Sequence, residues 1–401
     1  MIHRADRGSA PGTGPWRWSA LAMFAVGYGA NHFVPLLTVY RRTLALSDAQ
    51  ATAIFGVYAL GLIPGFLVGG PASDRYGRRR IMIAFTALSL VATTVLIAGR
   101  TGTAGLYAGR LLTGVVSGTV FTVGTAWVKE LSGGGSGIAA RRAAVALTAG
   151  FGVGPLVAGV LAQWAPLPTV LPYLVHLALG GTALALLPRA PETRPPSPGG
   201  RFQILPPAAR TARFRGVVAP MAPFVFGSVS LAFTTIPAHG TRPPPTLAVA
   251  ATGVLAALAL TAGLAGQRWG RQLQGSVADP QDVRPAVVGL AVVAGGYLAT
   301  ALATARPGLG TGALAGLLLG CGYGICLVVG LREVERLASA DQLGGLVAVY
   351  YSLTYLGLVI PYSLALAGPH VGYPRALLIV AALTALTLLA VLVNGRRQPR
   401  S

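Results

Sequence analysis

Charged side chains are scarce in this chain, which has 401 residues of which only 10% are Asp, Glu, Lys or Arg. A soluble domain carries about a quarter. Acids are the rarest, with 10 Asp and Glu against 31 Lys and Arg, and Lys129 is the single lysine. This deficit argues against a water-soluble domain and favours lipid as the surrounding solvent.

Cysteine is nearly absent as well. Cys321 and Cys326 lie five residues apart in one apolar run, where helical periodicity directs them to different faces. Neither a disulfide framework nor a metal site is predicted. The sequence also has no phosphate-binding loop and no pair of carboxylates at membrane depth. We therefore predict that the chain is not an enzyme and that it requires no metal and no organic cofactor.

Long apolar runs are abundant, since 53% of residues are hydrophobic and the mean hydropathy is +0.65. A helix needs about 20 apolar residues to cross a bilayer. None of the runs alternates as a membrane β-strand does. The sequence predicts an all-α integral membrane protein of twelve transmembrane helices. They are Trp18–Tyr40, Ala51–Gly70, Ile81–Ala98, Leu106–Val128, Ala143–Ala162, Val170–Leu187, Val217–Pro237, Leu247–Gly266, Ala286–Thr304, Gly312–Leu331, Leu343–Ala367 and Ala376–Val393.

The net charge of +21 reflects membrane topology rather than nucleic-acid binding, because the basic residues lie in the loops between apolar runs. With both termini in the cytoplasm, 24 basic residues fall on the cytoplasmic side and six on the outer side, which leaves Arg110 inside a span. Cytoplasmic loops carry this kind of excess. We predict a multi-pass protein of a cell membrane with cytoplasmic termini, and the near-exclusive use of arginine favours a bacterial source.

The chain divides at a polar, proline-rich segment, 188–215, which we predict to be a cytoplasmic linker. It separates two six-helix bundles, 1–187 and 216–401. Residues 111–131 match residues 317–337 at eight of 21 positions, Gly114/Gly320 and Gly118/Gly324 among them. Two such bundles around a pseudo-two-fold axis enclose a cavity that rocking exposes to either side. This arrangement favours a transporter over a structural membrane protein.

The loop between the second and third spans reads GPASDRYGRRR over residues 70–80. It resembles the loop signature of the major facilitator superfamily. The resemblance implies that Asp74 pairs with basic residues and a helix N-terminus, and latches the two halves on the cytoplasmic side. The alternative is a solvated basic loop. The candidate latch residues are Gly70, Asp74, Arg75, Gly77, Arg78 and Arg79.

Two further segments resemble motifs of the family's twelve-helix drug:proton antiporters, which are exporters. Residues 110–114 read RLLTG, similar to the fourth-helix motif, and residues 150–159 read GFGVGPLVAG, similar to the fifth-helix motif apart from Ala158. The proline removes one backbone hydrogen bond and predicts a kink. Ordinary close packing of small residues is the alternative. The residues of the fifth-helix motif are Gly150, Gly154, Pro155 and Gly159.

None of the ten acids lies near the midpoint of a span, so a proton carrier must be sought elsewhere. Histidine titrates near neutral pH, and two histidines lie at middle depth. A charged residue within a span is costly and marks function unless it extends to the interface. Packing roles remain the alternative for the histidines and tyrosines. The candidate substrate and proton pathway is Asn31, His32, Arg110, His176, Tyr351 and Tyr355.

Taken together, these features predict a secondary transporter that exports a small organic solute in exchange for protons, as a monomer in the lipid bilayer. A cavity with Arg110 and histidines but no acid favours a neutral or anionic substrate over a cation. Uptake of a nutrient or metabolite by the same fold is the alternative. A channel, or a membrane sensor that does not transport, is a third reading.

Overall fold

The computed structural model describes residues 14–133, 136–195, 205–276, 279, 282–339 and 342–397. These residues form no β-strand, and they include twelve helices long and apolar enough to cross a membrane. The predicted all-α architecture is thereby confirmed. The spans, here α1 to α12, are Trp16–Thr43, Asp48–Tyr76, Arg78–Ala98, Thr103–Leu131, Ile138–Trp164, Leu171–Arg189, Phe214–Phe233, Ala248–Gly275, Arg284–Ala305, Leu309–Leu337, Leu343–Val371 and Tyr373–Gly395.

The first and the eleventh spans are each interrupted near a proline. The first consists of Trp16–Asn31 and Phe33–Thr43, and the eleventh of Leu343–Leu356 and Val359–Val371. Pro35 and Pro361 each lie four residues after the carbonyl at which the helix breaks, and a proline has no N–H to donate to it. In contrast, α5 runs without interruption over Ser136–Trp164, so Pro155 does not break it.

The seventh span differs from its predicted bounds. The sequence predicts Val217–Pro237, whereas the apolar helix ends at Phe233 and is followed by a π-helical turn, Ile236–Gly240. Prolines at positions 243–245 then form the loop before Ala248. The turn carries His239 to the rim of the bundle, where it has partners described below.

Glycines at matching positions in the two halves make the same kind of close contact with a neighbouring helix. Gly118 of α4 lies against the backbone of α2, where an added Cβ would be 2.8 Å from the Phe66 nitrogen. Gly324 of α10 lies against α8, and a Cβ there would be 2.9 Å from the Gln267 nitrogen. Small residues let helix backbones approach closely in a bilayer. The internal repeat therefore reflects a close helix contact that both bundles use.

Substituting Gly118 by alanine should lower stability by about 1–3 kcal/mol, because the methyl group overpacks a contact with backbone that cannot turn aside. Gly181 of α6 is the matched control, since a Cβ there would meet nothing within 4 Å. Gly181→Ala should be neutral or stabilising by up to about 1 kcal/mol. Melting temperatures in detergent would measure both, and equal values for the two variants would contradict the packing role.

The two bundles meet mainly along α2 with α11 and along α5 with α8, with α1 also touching α8. These helices line the space between the halves, while α3, α6, α9 and α12 pack on the outside of their own bundles. The substrate path of a transporter of this architecture lies at this seam. Segment 196–204 of the predicted linker lies outside the described residues.

Candidate functional site

A cavity lies between the two bundles, and its walls come from both halves. Three polar side chains face it: Asn31 of α1, Arg110 of α4 and Ser230 of α7. Most of the remaining wall is aromatic, contributed by Phe55, Tyr58, Phe151, Phe226, Phe233 and Tyr355. Apolar walls with few convergent polar groups are typical of small-molecule sites.

Arg110 is buried in the first half at the edge of this cavity, with 1% of its surface exposed. Its Nη1 donates to the Ala30 carbonyl at 3.1 Å and its Nη2 to the Phe55 carbonyl at 3.2 Å. The guanidinium lies 4.6 Å from the Tyr58 ring centre and 4.8 Å from that of Phe33. The side chain thus points inward between α1 and α2 instead of extending to the outer interface.

The positive charge of Arg110 has no carboxylate against it among the described residues, since none of their ion pairs includes it. Its Nε is buried and has no hydrogen-bond partner in the described part of the chain. Backbone carbonyls and ring faces offset part of the desolvation, but they do not neutralise a full charge. An anion entering the cavity would find an uncompensated guanidinium.

The structure brings the two candidate histidines together inside the first bundle. His32 and His176 are both buried, and their ring centres are 5.7 Å apart. His32 Nδ1 lies 3.3 Å from the Tyr28 carbonyl, and His176 Nδ1 shares a 2.7 Å hydrogen bond with the Thr93 hydroxyl. The Nε2 atoms of both rings are buried without a hydrogen-bond partner among the described residues.

The histidine pair lies beside the inter-bundle cavity rather than in its wall. Asn31, one residue earlier, lines that cavity. A second, smaller cavity borders His176 and is lined by hydroxyls of Ser89, Thr93 and Thr113. The sequence places His32 in the substrate path because the whole first span lines the seam in the family. The helix rotation directs Asn31 to the seam and His32 to the bundle core.

One carboxylate joins the two halves at the opposite end of the bundle from Asp74, which we call the Asp48 side. Asp48, at the start of α2, accepts hydrogen bonds from His239 Nε2 at 2.9 Å and from the Tyr373 hydroxyl at 2.6 Å. It also pairs with Arg41 of its own half. The His239 and Tyr373 rings stack with centres 3.9 Å apart. The sequence places Asp48 only at the end of a span.

Further contacts between the halves gather on the Asp48 side. Thr38 of α1 and Thr252 of α8 share a 3.2 Å hydrogen bond. Gln163 at the end of α5 accepts from the Val249 and Ala250 backbone nitrogens at 2.8 and 3.4 Å, at the first turn of α8. The halves are therefore closed together on this side, which the charge distribution predicts to be the outer one.

Asp74 forms its ion pairs within the first half and the linker. Its Oδ1 lies 2.9 Å from Arg78 Nη2 and 3.3 Å from Arg194 Nε. Arg78 is also 3.2 Å from Glu130 at the end of α4. The described contacts of the loop thus bind the ends of α2, α3 and α4 together. Closure of this loop across the halves in another conformation stays a prediction.

Glu192 of the linker binds to this loop, and the sequence analysis did not predict this role. Its carboxylate accepts from the backbone nitrogens of Arg78 and Arg79, both at 2.9 Å, at the N-terminus of α3. Negative charge is favourable at this end of a helix. Gly77 has φ +94, and an added Cβ would crowd this carboxylate. The available signal was an acid directly after the sixth span, in an otherwise basic linker.

The neighbouring latch candidates Gly70 and Arg75 lie near the C-terminal end of α2. Gly70 lies against Thr122 of α4, and the Arg75 guanidinium lies over the Tyr76 ring.

The fifth-helix motif packs against both α1 and α8. An added Cβ at Gly154 would lie 2.7 Å from the Tyr28 carbonyl oxygen, and one at Gly150 would lie 2.9 Å from the Tyr28 nitrogen. At Gly159, which faces the other half, a Cβ would lie 3.2 Å from Gly253 Cα. The motif therefore sets how closely α5 approaches its own bundle and its partner.

Of the two candidate tyrosines, Tyr355 reaches the cavity and Tyr351 lies next to it. Tyr355 stacks on Phe226 with centres 4.0 Å apart. Tyr351 stacks on Phe66 of α2 at 5.1 Å, a contact between halves. The other aromatic wall residues escaped the sequence reading. Their spacing was the signal, since Phe55 and Tyr58 are three residues apart and Phe226 and Phe233 seven apart, which puts each pair on one helix face.

Comparison with known proteins identifies relatives of the chain. A family profile described as Major Facilitator Superfamily matches residues 19–360. A Mycobacterium tuberculosis protein named "Probable nitrate/nitrite transporter NarK2" is 38% identical over 97 residues, 23% of this chain and 24% of the relative. The "3-(3-hydroxy-phenyl)propionate transporter" of Escherichia coli is 51% identical over 47 residues, 12% of each chain. The matches thus span only a quarter or less of these relatives' lengths.

Solved structures resemble the whole chain. A POT family transporter crystallised with 5-aminolevulinic acid superposes with a TM-score of 0.76 at 11% identity, covering 97% of this chain and 98% of the other. The POT family transporter PepTSo has a TM-score of 0.77 at 13% identity, covering 95% and 97%. At these identities the similarity establishes the fold alone.

Proposed function

The chain belongs to the Major Facilitator Superfamily, and from this membership we propose that it is a secondary transporter that carries a small anionic solute by alternating access. It is a membrane transporter of that superfamily and a multi-pass integral membrane protein.

The burial of Arg110 at the edge of the cavity is the observation that supports an anionic substrate. A guanidinium buried at a cavity between the two halves, without a carboxylate against it among the described residues, favours binding of an anion. The alternative, a purely structural arginine, leaves a buried charge without compensation and is costly. Two relatives are named for anions, nitrate or nitrite and a phenylpropionate, which supports the same class of substrate here.

Alternating access is supported by where the halves touch. The contacts around Asp48 and between α5 and α8 hold one side closed, while Arg110 lies near the seam behind them. Opening that side requires breaking the bonds of Asp48 to His239 and Tyr373. Rocking of one bundle on the other then exposes the site to each side in turn.

We propose that the His32–His176 pair couples transport to protons and that the direction of transport is export. We further propose that the protein acts as a monomer in a cell membrane, with both termini in the cytoplasm. The pair supports coupling because the carboxylates lie away from mid-depth in the sequence, while two imidazoles lie inside the bundle that also holds Arg110, each with one nitrogen that has no hydrogen-bond partner among the described residues. The fifth-helix motif supports export through its resemblance to antiporters. Uptake by the same fold is the rival, and everted vesicles separate them, since energised accumulation there means export in cells.

Proteoliposomes holding the full chain test the proposal with a matched pair of probes, 4-hydroxyphenylacetate and tyramine, which share a ring but differ in the sign of their charge. We expect saturable counterflow of the carboxylate and none of the amine, and net flux of the carboxylate driven by an imposed pH gradient. In His32→Gln and His176→Gln the pH-driven flux should fall while counterflow persists. Preference for the amine would overturn the anion assignment, and flux without saturation would indicate a channel.

A further inference from the structure

The cavity between the halves is unusually aromatic for a site that holds an arginine. Six rings line it, three from each half: Phe55, Tyr58, Phe151, Phe226, Phe233 and Tyr355. Several of them pair across the seam. Phe55 meets Phe233 edge to face with centres 6.2 Å apart, and Tyr58 lies 6.1 Å from Tyr355. Binding a solute here must separate these pairs or take the place of one ring.

The charges facing the cavity limit the solute to a single negative charge. Arg110 is the one ionisable side chain other than tyrosine among the described residues of the wall. A peptide or amino acid would bring an ammonium group that no carboxylate in this wall could receive. A dianion would leave its second charge unpaired. Both classes pay a desolvation cost that the wall does not offset.

The polarity of the wall also argues against a small inorganic anion. Nitrate is hydrated on every side, and its water must be replaced by several donors. Two of the Arg110 N–H groups already donate to the Ala30 and Phe55 carbonyls, and the Ser230 hydroxyl donates to the Gly227 carbonyl. Besides the tyrosine hydroxyls, the remaining donors are three N–H groups of Arg110 and the amide of Asn31, all from the first half, so the far side of such an ion would face mainly aromatic rings.

A solute with one carboxylate and a planar apolar body satisfies both requirements. Its carboxylate would take the free donor capacity of Arg110, which adjoins the Tyr58 and Phe55 rings at 4.6 and 5.6 Å. Its ring would then lie among Phe55, Phe233 and Phe226, and it would replace contacts that these wall rings make with one another. Aromatic pairs are more favourable than the area they bury accounts for, so a saturated ring of the same size binds less tightly.

We propose that the transported solute is an aromatic monocarboxylate, with its carboxylate on Arg110 and its ring between the aromatic walls of the two halves. The inference rests on the proposed function, which requires only an anion. It adds the aromatic body and a role in specificity for Phe233 and Phe226.

Binding of tritiated phenylacetate to the full chain in lipid nanodiscs, measured by scintillation proximity, tests the proposal. Unlabelled phenylacetate should compete about tenfold more strongly than cyclohexylacetate, which has the same charge and a saturated ring. Nitrate should compete at least tenfold less strongly than phenylacetate. Phenylacetamide, which keeps the ring and lacks the charge, should not compete.

Phe233→Leu and Phe226→Leu should bring the phenylacetate-to-cyclohexylacetate ratio towards one, because leucine retains apolar area but not the ring. Phe85→Leu in α3, outside the cavity wall, is the matched control and should keep the wild-type ratio. Equal competition by the two rings in wild type, or a ratio that survives both cavity variants, overturns the aromatic assignment and leaves the anion proposal standing. Competition by phenylacetamide equal to that by phenylacetate overturns both. Binding of nitrate in preference to phenylacetate overturns only the aromatic inference.

Discussion

Replacing Arg110 by glutamine is expected to weaken binding of an anionic solute roughly 10- to 150-fold, and to reduce transport at subsaturating concentrations by a similar factor. A hydrogen bond to a charged group contributes about 1.5–3 kcal/mol, and 1.4 kcal/mol corresponds to a tenfold change in affinity. Glutamine retains donors for the Ala30 and Phe55 carbonyls but removes the charge. Concentration dependence of counterflow in proteoliposomes would measure the effect.

Two comparisons separate binding from folding in this experiment. Arg110→Lys keeps the positive charge and loses the planar fork, so it should recover part of the affinity. Arg100→Gln removes an exposed arginine that donates to the Ile97 carbonyl, and it should transport normally. If Arg110→Gln lowers the melting temperature while the apparent affinity for the anion stays at the wild-type value, Arg110 is structural and the anion site lies elsewhere.

Replacing Asp48 by asparagine should open the Asp48 side of the molecule. The carboxylate holds His239 and Tyr373 of the other half, and charge-assisted bonds are roughly twice as strong as neutral ones. Losing about 1.4 kcal/mol of this contact increases the open population about tenfold. The pair with Arg41 lies within one half and should not affect opening directly.

Labelling of a cysteine at position 38 reports on this opening, since Thr38 bonds to Thr252 across the seam. With Cys321 and Cys326 replaced, a membrane-impermeant thiol reagent should react about tenfold faster in Asp48→Asn than in the wild-type background. Tyr373→Phe, which removes only one hydroxyl, should give an intermediate rate. Glu335→Gln changes an exposed acid at the other end of the bundle and serves as the control. An unchanged rate in Asp48→Asn would show that closure rests on packing of α5 against α8 instead.

Much of the fold could be predicted because each span is a local property of the chain. About 20 apolar residues in sequence must form a helix in lipid, since no water is present to bond the backbone. The matching glycines of α4 and α10 were visible as a repeat, and the structure gives them the same backbone contacts. The bounds of α7 were less predictable, because the local apolar pattern does not distinguish the π-helical turn Ile236–Gly240 from a continued α-helix.

The candidate site was predictable in part. Arg110 was found because a charge inside a span stands out in any sequence, and Tyr355 was found near the seam. His32 and Asn31 are neighbours in sequence, yet one faces the bundle core and the other the cavity. A rotation of one residue, about 100° on a helix, decides between them. Apolar rings such as Phe226 and Phe233 gave no signal of function, since in a membrane protein phenylalanine is expected everywhere.

By itself, the sequence determined that the protein is embedded in a membrane, how many times the chain crosses it, and that one arginine lies within a span while the acids lie away from mid-span. These properties follow from the composition of short segments, because a segment crosses the bilayer when it is apolar and long enough. Only the tertiary structure decided that Asp48 contacts partners 191 and 325 residues away, and that rings from both halves line the cavity that Arg110 borders. Such contacts depend on the orientation and crossing of helices from separate bundles, which no local sequence pattern specifies.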